Sequence, residues 1–70
     1  MHYQLNAYRI CDIDESGVRE KIVTLGDLVH DDLTGKDCKI VQIFHDDNGS
    51  VGFEIESDYL NGFRHPWELS

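Results

Sequence analysis

The stretch CKIVQIFHDDNGSVGFEI, residues 38–55, constrains the fold more than any other part of this chain. On an extended strand Cys38, Ile40 and Phe44 line one face and Val41 and Ile43 the other, the pattern of a central strand covered on both sides. Asn48-Gly49 follows, the dipeptide that most favours a tight hairpin. Beyond it Val51, Phe53 and Ile55 face inward while Glu54, Glu56 and Asp58 face out, so the returning strand has one dry and one wet side. A chain organised around such a hairpin is antiparallel and all-β.

The flanking segments carry the same punctuation, with Asp, Asn and Gly clusters every 8 to 12 residues or so. A first strand is expected over residues 3–11, where Tyr3, Leu5 and Ala7 share a face but Tyr8 and Ile10 fall on the other, which calls for a bulge or two-sided burial. A second is expected over 19–25, and Leu28 and Val29 form a short third before a loop at 31–37 that contains Gly35. Near the C-terminus the pattern predicts a helical turn at 58–61 that stops at Gly62. A short closing strand follows Pro66, with Trp67 and Leu69 capping one end of the core.

Seventy residues make one domain, 1–70, and a chain this short buries only roughly 60% of its unfolded surface, too little for a core with a buried cleft. The expectation is therefore a protein that is not an enzyme. Fourteen acidic residues against six basic ones leave a net charge of −8, which repels nucleic acid and anionic membrane and favours basic protein partners. No stretch approaches the roughly 18 apolar residues of a membrane helix, and MHYQLNAYRI has no signal-peptide pattern. Cys11 and Cys38 stand without a C-x-x-C pair and read as small buried hydrophobes of a cytoplasmic protein.

The block GDLVHDDLTGKDCKIVQI, residues 26–43, resembles the strand, loop and strand that open small SH3-like barrels of the KOW and Tudor-like types. The resemblance implies a barrel of about five short strands. It does not extend to the second loop glycine or to the basic residues of nucleic-acid-binding members: Lys36 and Lys39 are outnumbered by Asp27, Asp31, Asp32 and Asp37. Barrels of this kind also serve as protein-binding modules and as accessory proteins of phage and bacterial genomes.

Four groups of residues could carry chemistry. Asp12, Asp14, Ser16 and Gly17 match the start of an EF-hand calcium loop, but the position that must supply a bidentate Glu is Val23, so a turn is the better reading. The triplets His30-Asp31-Asp32 and His45-Asp46-Asp47 hold metal-ligand types, yet neighbours on a strand point to opposite faces, so these read as solvated loop segments. Tyr59, Phe63 and Trp67 suit either the core or an aromatic cage for a cationic peptide. The remaining group is the acid itself: Asp12, Asp14, Glu15, Asp46, Asp47, Glu54, Glu56 and Asp58. On one strand face 54, 56 and 58 repeat every ~6.6 Å, comparable to the phosphates of DNA.

These observations lead to one expectation: a cofactor-free module that presents these carboxylates to a basic protein surface and makes no direct nucleic-acid or membrane contact. A DNA-mimic inhibitor of phage origin, anti-CRISPR-like, is its narrower form. A peptide-binding barrel using Tyr59, Phe63 and Trp67, or a weak divalent-metal domain, is the alternative. Short strands with edges to cover leave room for a homodimer.

Overall fold

The computed structural model describes residues 2–70, and over residues 12–14 it describes the strand but not the side chains. The central hairpin forms where the alternation demands it, as β5 (Lys36–His45) and β6 (Val51–Glu56), with Ile40 opposite Ile55 and Ile43 opposite Phe53. β6 continues into β7 (Asn61–Arg64), and on its other edge β5 pairs with β4 (Leu28–Asp31) and with β1 (Tyr3–Leu5). That makes one five-stranded antiparallel sheet. β2 (Ala7–Asp14) and β3 (Gly17–Thr24) form a separate hairpin across a two-residue turn. The chain is all-β, built of antiparallel sheets, and the one 3-10 turn among the described residues is Pro66–Glu68.

Three local features depart from the expected pattern. First, the strand expected over residues 3–11 is broken at Asn6 by a bend, which lets Leu5 and Ile10 both reach the interior although strict alternation would separate them. Second, a β-bulge places the three residues 40–42 opposite only Ile55 and Glu54. It re-phases β5, so Ile43 joins Cys38 and Ile40 in the core while Phe44 turns to the outer face. Third, no helical turn forms at residues 58–61. There the Ser57 hydroxyl accepts hydrogen bonds from the Tyr59 and Leu60 amides, 3.2 Å each, and reverses the chain without a helix. The helical turn lies instead at Pro66–Glu68, where proline presets φ and the Glu68 carboxylate accepts the His65 amide at 2.7 Å.

The core is Ile10, Val23, Val29, Cys38, Ile40, Ile43, Phe53, Ile55 and Leu69, with Tyr8 and Val51 packed against it. The β2–β3 hairpin therefore covers the sheet with Ile10 and Val23, and Tyr8 meets the Phe53 ring edge to face at 6.3 Å. The free edge of β4 is taken by the C-terminus: His30 and Ser70 exchange two backbone hydrogen bonds of 3.0 Å, and the Asp32 amide donates to the Glu68 carbonyl at 2.9 Å. The C-terminal segment thus closes back onto β4.

The β5–β6 connection follows from its residues. Asp46 Oδ1 accepts the amides of Asn48 and Ser50 at 2.9 and 3.0 Å, and Gly49 takes a φ of +82°. The Ser50 amide is the main reason that the Asp46 carboxyl sits below its ordinary pKa. A β-carbon at Gly49 would meet no atom, so only the backbone opposes it. Gly49→Ala is expected to destabilise the fold by roughly 1–2 kcal/mol, seen as a lower urea midpoint with an unchanged slope.

Candidate functional site

Asp31 is the one buried charged residue among the described residues, at 1% exposure. On β4 it shares a face with Val29, so strand alternation carries it inward. Arg64, at the end of β7, meets it with two donors, Nε to Oδ1 at 2.9 Å and Nη2 to Oδ2 at 3.1 Å. Thr34 Oγ1 and the Leu33 amide donate to the same carboxylate at 2.8 and 3.2 Å. Burial raises the Asp31 pKa, but these donors together outweigh it and hold the carboxyl below its ordinary value. Asp31 is thus a closure clamp between β4 and β7, and its expected place in a solvated loop is corrected.

The two His-Asp-Asp triplets stay apart. His30 pairs with Asp37 near the start of β5, its Nδ1 3.4 Å from Asp37 Oδ1, whereas His45 ends the same strand and stacks on Tyr3 at 5.0 Å. Among the described residues no three His, Cys, Asp or Glu side chains gather as a metal site. The turn read at residues 12–17 forms between β2 and β3, and the Ser16 hydroxyl accepts from Arg19 Nη2 at 2.8 Å. The side chains of Asp12 and Asp14 lie outside the described residues.

Both thiols are free. Cys38 is buried, which pushes its pKa up and keeps it protonated. Cys11 is exposed, against expectation, because β2 alternates Tyr8 and Ile10 inward and Arg9 and Cys11 outward. No helix among the described residues is long and apolar enough to cross a membrane.

Trp67 is 74% exposed and does not cap the core; Leu69 alone does that. The Trp67 ring instead stacks on His65 at 4.4 Å and 9°. Phe63 meets Phe44 edge to face at 5.8 Å, and the face of Tyr59 is covered by Lys36 Nζ, 4.2 Å from the ring centre. All three expected aromatics are exposed, but each has a different partner, and no ring contact among the described residues joins any two of them.

Trp67 and Phe63 lie along a trough, of which Tyr59 is not part. One groove of about 450 Å³ runs between β2 and the 3-10 turn, lined by Tyr8, Ile10, Cys11, Val51, Pro66 and Trp67, with Arg9 and Glu20 at its rim. A second, of about 500 Å³, shares Ser50, Val51 and His65 with the first and adds His2, Phe44 and Phe63 together with Asp46 and Glu68. A third shares His2, Phe44 and Phe63 with the second and ends at Glu54. The floor is open because Gly52 has no side chain: a β-carbon there would stand 2.9 Å from the Phe44 ring. Both arginines along the trough are engaged by carboxylates, Arg9 by Glu20 at 3.4 Å and Arg64 by Asp31. The acids Asp46, Glu68 and Glu54 carry the field of its walls.

Of the expected acidic residues, then, Glu54 and Asp46 belong to the trough. Glu56 and Asp58 line a separate depression with Asp37 and Lys39, and Asp58 stands beyond the end of β6 rather than on its face. Glu15 occupies the tip of the β2–β3 hairpin and Asp47 the β5–β6 connection. Glu68 was legible as an acid beside the C-terminal aromatics, whereas sequence reasoning missed His2 and Phe44. His2 is distant in sequence from the rest, and Phe44 was assigned to the opposite face. No protein-family model matches this chain, and comparison with curated proteins and with solved structures finds no similar one.

Proposed function

We propose that this chain is a non-enzymatic protein-binding module whose acidic, aromatic trough receives a basic partner. The observation that carries the reading is the trough itself: adjoining grooves with exposed Phe63 and Trp67, walled by Glu54, Asp46 and Glu68. Large rings left in water at the edge of a groove gain free energy when a partner covers them, and carboxylates around them favour Lys- and Arg-bearing surfaces. The net charge of −8 steers such partners in from a distance. A cytoplasmic setting belongs to the same proposal.

The narrower reading, a DNA mimic directed at nucleic-acid-handling machinery, needs a longer run of carboxylates than Glu54 and Glu56 provide on β6. β4, the loop after it and β5 keep the strand, loop and strand order on which the resemblance to small SH3-like barrels rests, in keeping with a peptide-binding role.

The test is a displayed library of linear peptides selected against the immobilised chain. Enriched peptides should be rich in Lys and Arg. Glu54→Gln with Asp46→Asn should weaken their binding about three- to tenfold, since rim charges contribute roughly 0.2–1 kcal/mol each. Asp46→Asn retains the Oδ1 acceptor that the turn requires. Glu56→Gln with Asp58→Asn, in the separate depression, should change affinity less. Equal effects of the two pairs would remove the trough from the account.

A further inference from the structure

We infer that the partner enters the trough as an extended segment, adding a strand to the open edge of β2 with an apolar side chain against Trp67 and a basic one toward Asp46 and Glu68. The inference rests on the reading of the chain as a binding module for basic partners, and it names the mode.

β2 pairs with β3 along one edge, and among the described residues no backbone group bonds to the other. Every second residue of such a strand directs its N–H and C=O away from its partner, a ready template for another chain. Proteins blunt open edges with proline, lysine or a bulge. The sequence AYRICDID has no proline or lysine, and its register against β3 is uninterrupted from Ala7 to Asp14.

The same strand, together with Glu20 of β3, also walls a groove. Tyr8, Arg9, Ile10 and Cys11 form one side; Pro66, Trp67 and Val51 form the other. At roughly 3.3 Å per residue, those four β2 residues offer an edge of about 13 Å. The opposite wall is pre-organised: proline presets the backbone at residue 66, and stacking on His65 holds the indole. Backbone pairing gives affinity, and alternate side chains reach either the indole or the acidic end, which is how strand addition combines strength with selectivity.

Charge selects the occupant. A second copy of this chain could pair edge to edge, but each copy carries −8 and they repel. A Lys- or Arg-bearing segment carries the opposite charge, and the groove leads past Val51 and His65 to the carboxylates of Asp46 and Glu68.

The experiment uses the full chain and one peptide enriched from the displayed library, alongside the same peptide N-methylated at alternate residues, in each of the two phases. Hydrogen exchange is followed by NMR. Binding should slow the exchange of alternate β2 amides within residues 8–11. N-methylation in one phase should weaken affinity at least tenfold, and Trp67→Ala should do the same with an unchanged urea midpoint. If no basic peptide is enriched, the binding-module reading falls and this inference with it. If basic peptides bind without slowing β2 exchange and tolerate both N-methylated phases, the module stands and strand addition is overturned. If β2 amides are protected without peptide in a concentration-dependent manner, the edge belongs to a second copy and the inference is likewise overturned.

Discussion

Arg64→Met is expected to destabilise the fold by about 3–5 kcal/mol, because it strands the Asp31 carboxylate in the interior without its cation. A chain of this length has a total stability of only about 4–10 kcal/mol, so the variant should be partly unfolded at room temperature. The two side chains join the end of β4 to the end of β7, which are 33 residues apart in sequence. Replacing both at once, Asp31→Leu with Arg64→Met, should recover much of the loss, since apolar packing substitutes well for a buried ion pair. The pH dependence has a fixed sign. The folded-state pKa of Asp31 is depressed below its ordinary value of 3.8, so the folded state binds fewer protons. The clamp's contribution is fully present above that value and is lost as the pH falls through the lower folded pKa. In Arg64→Met only the Thr34 and Leu33 donors still oppose burial, and the carboxyl moves upward. The gap between variant and wild type should therefore narrow in acid, as urea unfolding at a series of pH values would register.

Phe53→Ala should cost about 3–5 kcal/mol, the range for emptying an aromatic site that cannot collapse. Phe53 has no solvent exposure, lies opposite Ile43 and receives the Tyr8 edge from β2. It sits where the β2–β3 hairpin meets the sheet, so its loss should loosen the hairpin as well as the core. Phe53→Leu retains most of the volume and should cost about 1 kcal/mol. Amide exchange in Ile10 and Val23 separates the outcomes: in the alanine variant it should rise toward the rate of global opening, and if only the sheet amides change, the hairpin is held by other contacts.

Most strands were legible because their residues obey a period of two between Gly, Asn and Asp clusters. β3, β4 and β6 lie close to where alternation places them, and the buried set Val51, Phe53 and Ile55 belongs to the inner face as expected, with Val51 half covered. Breaks in phase were legible only in part: the mismatch within residues 3–11 calls for an irregularity but does not place it at Asn6, and nothing announces the bulge in β5. A bend at Asn6 and a bulge at Val41 each reverse which residues point inward, and neither position carries a glycine or proline to mark it. The helical turn was misplaced because Ser57 can cap a reversal through its own hydroxyl.

Burial was misjudged where composition argued against geometry. A lone tryptophan is ordinarily needed inside a small core, but Trp67 falls on an exposed three-residue turn, and the inward position is taken by Leu69 just after it. Asp31 carried the opposite signal, two residues after the buried Val29 on a strand, yet its partner in β7 has no local trace. The acidic residues were individually visible, whereas their division between the trough and the Glu56–Asp58 depression depends on register.

The most direct measurement is the affinity of the wild-type chain for a selected basic peptide across ionic strength, from about 0.01 M to about 0.5 M. Over that range the screening length falls from about 30 Å to a few ångströms. Carboxylates that meet a cationic partner require binding to weaken steadily as salt is added, with a shallower slope for Glu54→Gln with Asp46→Asn. Affinity that stays level throughout would contradict the proposal that charge on this surface selects its partner.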